Sequence, residues 1–237
     1  MKKLLITGDS YCASKNPKSW TNILADRLNA ELTLAGAVSA SLYYAYDNLI
    51  RLDDNHDYIV TLVTNPGRLS TLEAPYVSNQ YSAKHYRAKA EEANDHKLYL
   101  KYKSAEMYYE NLVNSNFDEF VHDMILQKLE EYFKNRNGII YPNFKMSRYP
   151  SEYFTMLDVT DACFSRYFKK DNYNFYTEIF QKSFETGNVI NHSTIECQEL
   201  IADHFYQLIT IQKSNITIDD FRNLKLNDSY EYYFTPR

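Results

Sequence analysis

Four short stretches of this sequence carry residue types that do chemistry, each at the edge of a regular element. "LLITGDSY" runs an apolar stretch into Gly8-Asp9-Ser10. "LAGAVS" places Gly36 after a second such stretch, and "VTNPGR" places Asn65 and Arg68 after a third. "GNVINHS" places Asn191 and His192 just ahead of a long helical pattern. A serine hydroxyl is a poor nucleophile until a base removes its proton, and an imidazole near its ordinary pKa suits that task at neutral pH. The chemistry such a set implies is acyl transfer through a covalent serine. Each residue also has a plainer reading: Ser10 as a helix cap, Asn65-Pro66 as a turn pair, His192 as a cap or core residue.

The elements that must position these residues follow from the pattern. Leu4–Thr7 is a short apolar run of the kind found in buried parallel strands. Ser19 is an N-cap candidate for a helix over 20–28, with Trp20, Ile23, Leu24 and Leu28 on one face. A second strand over 30–35, a helix through "SLYYAYDNLIRL" and a third strand over 58–64 continue the alternation. Strand-helix-strand-helix-strand predicts an α/β fold: three αβα layers around a parallel, flavodoxin-like sheet of about five strands. Residues 69–117 break the rhythm and read as a helical insertion. "FDEFVHDMILQKLEEYFKNRNG" then predicts an amphipathic helix buried through Phe120, Met124, Ile125, Leu129 and Phe133. "IIYPNF" supplies a fourth strand, "FTMLDV" a fifth, and "TIECQELIADHFYQLITIQ" a closing helix ahead of a polar, aromatic tail over 214–237. The chain is expected to form one domain over 1–237. In an open parallel sheet the carboxyl ends of the strands gather the reactive loops, where Ser10, Gly36 and Asn65 fall.

This arrangement of blocks resembles the SGNH (GDSL-like) hydrolase family over roughly residues 2–68 and 118–210. The first block is "LLITGDSY", the second the small-residue loop at Gly36, and the fourth "NHSTIECQELIADHFYQLI". In the third block Asn65 stands in the asparagine position, although the family's Gly-x-Asn-Asp reads Val63-Thr64-Asn65-Pro66 here. The resemblance implies an ester hydrolase with Ser10 as nucleophile and His192 as general base. The oxyanion hole would combine Ser10 N–H, Gly36 N–H and the Asn65 amide, with the backbone at Val38 an alternative to Gly36. Each such donor is typically worth a few kcal/mol in the transition state. The aspartate that the family places three residues before the histidine is Val189 here, so Glu185, an amide such as Asn188 or Asn191, or a carbonyl would have to orient the ring. The same fold serving as a weakly active or inactive binding or assembly module is the competing reading.

Asp9, Arg68 and Asn191 are candidates for contacting substrate, Arg68 because a guanidinium just past the third loop can hold an anionic or polar group. The expected substrate is a small-molecule or carbohydrate ester carrying a small acyl group such as O-acetyl, with no cofactor and no metal. His122 beside Asp123 reads as part of a solvated helix face, since no second histidine-carboxylate cluster accompanies it. Tyr99, Tyr102, Tyr108 and Tyr109 either stack on a sugar ring or pack the insertion, with packing favoured. Cys12 in the second glycine position leaves the Gly-x-Ser-x-Gly elbow of α/β-hydrolases incomplete, and no loop is a glycine-rich phosphate cradle.

Bulk composition narrows the class further. With 44% hydrophobic and 24% charged residues the chain is globular in type, and its 23 Tyr and 13 Phe stand against only 5 Gly. A net charge of −5 lacks the basic excess of nucleic-acid binders. No stretch approaches the roughly 18 apolar residues of a membrane span. Three cysteines, Cys12, Cys163 and Cys197, are scattered, odd in number and in no CxxC pairing, which favours a reducing, cytoplasmic setting.

Overall fold

The computed structural model describes residues 1–69, 77, 79–146, 154–164, 189–190 and 193–224. Four strands, β1 (Lys2–Gly8), β2 (Ala30–Gly36), β3 (Tyr58–Val63) and β4 (Gly138–Pro142), form a parallel sheet in the order β2-β1-β3-β4, flanked by helices. Every residue of β3 is buried, as a continuous run of β-branched and aliphatic residues requires in a covered sheet. The Thr7 and Thr61 hydroxyls pair at 3.1 Å between β1 and β3, so the polar atoms of that buried face satisfy each other. Chain order reverses between β1 and β3. That reversal is the switch point at which open α/β sheets leave a crevice beyond the strand ends.

The chain, expected as one domain, divides into two compact units. The first comprises residues 1–4, 14–33 and 142–237, and the second residues 5–13 and 34–141.

In the first unit, α1 (Trp20–Leu28) packs on α7 (Ile195–Ile211). Trp20 and Phe205 stack with ring centres 4.6 Å apart, and Trp20 N–H donates to Gln198 Oε1 at 2.8 Å. Arg27 adds ion pairs to Glu199 and Asp203. Ser19 occupies the N-cap position as expected, but its hydroxyl bonds the Thr21 hydroxyl instead of capping a backbone N–H. Residues 154–159, expected as a fifth strand, instead enter helix α6 (Met156–Phe164). The reason is a reciprocal cap: Asp158 accepts from Thr155 N–H and its hydroxyl, while Thr155 Oγ1 accepts from Asp158 N–H. A disulfide joins Cys163 of α6 to Cys197 of α7, which removes the argument for a reducing compartment drawn from the scattered cysteines. Helix α8 (Ile218–Asn223) packs against α6, and two-residue strands β5 (Val189–Ile190) and β6 (Ser193–Thr194) pair antiparallel.

In the second unit, α2 (Leu42–Leu52) lies against β3 and against α5 (Ser115–Phe133). Between β3 and α5 come α3 (Gln80–Glu92) and α4 (His96–Asn111), the helical insertion that the composition predicts. They pack as a hairpin around Val77, Ala83 and Ala105, with Arg87 and Lys84 reaching the buried Glu106 between them. Tyr102 stacks on Tyr86, which is the packing use of the tyrosines. The buried stripe of α5 differs from expectation. Leu129 is buried as expected, but the stripe continues through Leu126 and through His122, which was expected on a solvated face, whereas Phe120 is 62% and Met124 43% exposed. Positions 122, 126 and 129 keep helical spacing; the face is rotated because α5 seats a histidine, not a phenylalanine, against the loop after β3. Among the described residues no helix is long and apolar enough to cross a membrane.

Candidate active site

β1 ends at Gly8, whose φ of +153° suits only glycine and where a Cβ would meet Leu62 Cβ at 2.7 Å. The chain then caps a short 3-10 turn, Ser10–Cys12, with Asp9: its Oδ1 accepts from Tyr11 N–H at 3.1 Å. Ser10 is therefore the first residue of a turn held at the tip of a buried strand, and it keeps partial solvent exposure. Gly36, at the end of β2, lies directly against that turn. A Cβ there would sit 2.7 Å from Cys12 Sγ and 2.9 Å from Ala13 N, so the close approach itself requires glycine. Ala37 N–H, one residue on, donates to Gly8 O at 3.3 Å.

Asp9 is fully buried and joins this turn to the loop after β3. Its Oδ2 accepts from the Thr64 hydroxyl at 3.1 Å and pairs with Arg68 Nη1 at 3.0 Å. Arg68 donates onward to Ala40 O, 3.0 Å away, so one guanidinium ties the first, second and third loops together. Asp9 and Arg68, both expected at the substrate, thus act mainly as a buried brace. Asp9 presents no surface to a ligand, and the Arg68 charge is already met by a carboxylate.

Asn65 is exposed, and its Oδ1 accepts from Gly67 N–H at 3.0 Å. That Asx turn fixes the carbonyl end of the amide and leaves Nδ2, the donor end, as the group it can offer. The preceding carbonyl, Thr64 O, accepts from His122 Nε2 at 2.8 Å. With Nε2 carrying the proton, Nδ1 of His122 is the bare acceptor nitrogen. Burial pushes the His122 pKa below its ordinary value, against the opposing pull of the Thr64 bond, so the ring stays neutral. The Tyr109 hydroxyl pins the other side of the same loop, accepting from Leu69 N–H and lying 3.0 Å from Val77 O, with its pKa pushed up to about 12 chiefly by burial. Cys12, the thiol nearest the turn, is buried and its pKa is raised well above the ordinary value by that burial and by Asp9, so it does not compete as a nucleophile.

A cleft of about 460 Å³ opens beside Asn65. Leu42 and Tyr43 of α2, Pro66, Arg68 and Leu69 of the loop, Tyr108 of α4 and Phe117, Val121, His122 and Ile125 of α5 line it, with Ser41 and Asp118. Within the second unit Asp9 thus bonds the turn that begins at Ser10 to the loop that carries Asn65 and Arg68, and Gly36 packs against the same turn. Asn191 and His192 lie outside the described residues, as do Glu185 and Asn188, the candidates for orienting the ring. Thr64, Tyr109 and His122 were not singled out as site residues by the sequence reading. A signal for His122 was present in its spacing to Leu126 and Leu129.

No family model matches the chain, and no curated protein matches it. Among solved structures it is similar to a protein described as lipolytic and of the G-D-S-L family from Desulfitobacterium hafniense, at 11% identity and a TM-score of 0.34, covering 88% of this chain and 99% of that one. It is also similar to a carbohydrate esterase family 2 enzyme with a carbohydrate-binding domain from Corynascus thermopiles (Myceliophthora fergusii), at 9% identity and a TM-score of 0.36, covering 89% of this chain and 66% of that one.

Proposed function

We propose that this chain is a serine esterase of the SGNH type that hydrolyses a small-acyl ester. The observation that supports the reading is the Asp9 brace, which holds the Ser10 turn and the Asn65 loop to each other while Gly36 packs against that same turn. In this reading Ser10 Oγ attacks the ester carbonyl as His192 takes its proton, giving a tetrahedral oxyanion. Ser10 N–H, Gly36 N–H and Asn65 Nδ2 receive the negative charge. Collapse breaks the ester C–O bond, and His192 returns the proton to the departing alcohol. Water, deprotonated by the same imidazole, then attacks the acyl-serine, and the second tetrahedral intermediate collapses as the imidazolium returns that proton to Ser10 Oγ and the carboxylic acid leaves.

The test is labelling by a fluorophosphonate. The wild type should label and Ser10→Ala should not; equal labelling of both removes Ser10 from the role. A binding module on the same fold is the second reading, and Val189 in the place of a ring-orienting aspartate is what favours it. Hydrolysis of p-nitrophenyl acetate that disappears in His192→Ala decides for the enzyme.

A further inference from the structure

The cleft beside Asn65 has a chemical character that narrows the substrate, and the inference rests on the esterase reading for its place in a reaction. Part of its polar lining is committed inside the protein. Arg68 is taken up by Asp9 and Ala40 O, Ser41 Oγ accepts the Tyr44 N–H, and the Tyr108 hydroxyl donates to Asp118 at 3.5 Å. The rest of the wall is aliphatic or aromatic, with Leu42, Val121 and Ile125 from two facing helices. The Tyr43 hydroxyl and the second Asp118 oxygen keep hydrogen-bonding capacity, and so do Asn65 and His122. Asn65 Nδ2 is a donor. His122, a residue only 6% exposed, spends Nε2 on Thr64 O, which leaves Nδ1 to accept while the ring is neutral.

We infer that this cleft binds the larger part of the ester, an uncharged, mainly apolar group of aryl size bearing one hydroxyl or N–H that donates to His122 Nδ1. Its volume is far beyond an acetyl group and lies within the range of small-molecule sites. A sugar would need several hydrogen-bonding partners, and leaving its hydroxyls unmatched against Leu42, Val121 and Ile125 costs more than burial returns. An anionic group would find Arg68 already neutralised and Asp118 in the wall. Of the two substrate classes that the sequence leaves open, the cleft selects the small molecule over the carbohydrate.

Calorimetric binding of three probes, 2-naphthol, 2-naphthoate and methyl β-glucoside, tests this on the wild type and on Ser10→Ala. 2-Naphthol should bind both proteins alike, with naphthoate at least tenfold weaker and the glucoside undetected. Ile125→Trp, which fills the cleft, should abolish naphthol binding while leaving the circular dichroism and Tm near wild type. His122→Phe removes the acceptor and should weaken naphthol about tenfold, the worth of one buried hydrogen bond, while His122→Gln, whose amide keeps a donor for Thr64 O and an acceptor oxygen, should weaken it less. Naphthoate or glucoside binding as tightly as naphthol, or naphthol binding unchanged in Ile125→Trp or in His122→Phe, overturns the inference. Because binding is read without turnover, a protein that takes naphthol but resists fluorophosphonate refutes the esterase reading and leaves the cleft assignment standing.

Discussion

Asp9 shows how one side chain can matter to a serine without touching what the serine touches. Its carboxylate is wholly buried and meets Tyr11 N–H, the Thr64 hydroxyl and the Arg68 guanidinium, itself only 9% exposed at the side chain. Removing one member of such a pair strands the other charge in a low-dielectric setting, at a cost of about 3–5 kcal/mol. Asp9→Ala is therefore expected to lower the urea unfolding free energy by that order, and a loss under 1 kcal/mol would show that the pair is not a brace. Gly36 makes a second, separable prediction. A Cβ at 2.7 Å from Cys12 Sγ and 2.9 Å from Ala13 N must displace the turn that begins at Ser10. Gly36→Ala should slow fluorophosphonate labelling at least tenfold, since small displacements at a reacting centre are costly, with far-UV circular dichroism unchanged. Labelling at the wild-type rate would mean that the turn does not need this approach. The strand-end positions of Gly8, Ser10, Gly36 and Asn65 were legible in the sequence because each follows an apolar run. The role of Asp9 was not, because its partners Thr64 and Arg68 are more than fifty residues away and only the fold brings them close.

At the scale of elements, legibility followed the strength of the local pattern. The four strands and the helices over 20–28, 42–52, 115–133 and 195–211 show in periodicity, since each buries a stripe long enough to be counted. "FTMLDV" misleads because a short apolar run is equally compatible with a buried strand and a buried helix turn, and Thr155-x-x-Asp158, a capping-box spacing, is the signal that separates them. On α5, Phe120 and Met124 suggest the wrong face because the neighbour they would pack against is not specified locally. The α6–α7 disulfide was illegible for a related reason: Cys163 and Cys197 are 34 residues apart, and spacing alone does not pair them. Closing a loop of that length stabilises a fold by about 4 kcal/mol in the chain-entropy account. Cys197→Ser, or reduction of the wild type, should lower the unfolding free energy by that order. Alkylation of the denatured, unreduced protein should modify one cysteine, Cys12, and three after reduction; three before reduction would show that the bond is not formed.

For the molecule as a whole, two of the buried histidines among the described residues make stability respond to acid. His204 of α7 packs between Phe154 and Phe205, with Nδ1 2.9 Å from the Ser214 hydroxyl, and burial depresses its pKa to about 4. His122 in the second unit is depressed in the same direction, again chiefly by burial. In the unfolded chain both return to the ordinary value of about 6.5. Below that value the unfolded state binds protons that the folded state refuses, so stability is fully present above about pH 6.5 and is lost as pH falls, for His204 down to about 4. The maximal slope is about 1.4 kcal/mol per pH unit for each histidine. Asp53 acts elsewhere on the scale. Burial works against its charge, but hydrogen bonds from Tyr132 and His56 and the Arg136 guanidinium outweigh that and hold its pKa low, so its contribution is lost only below the ordinary carboxylate range near 4. The loss between pH 6.5 and 4 should therefore belong to the histidines. Urea midpoints measured from pH 7.5 to 4.5 should fall steadily for the wild type. In His204→Gln and His122→Gln the fall should be shallower, by one histidine's share each. A double variant whose midpoint drops as steeply as the wild type would locate the acid sensitivity in other groups.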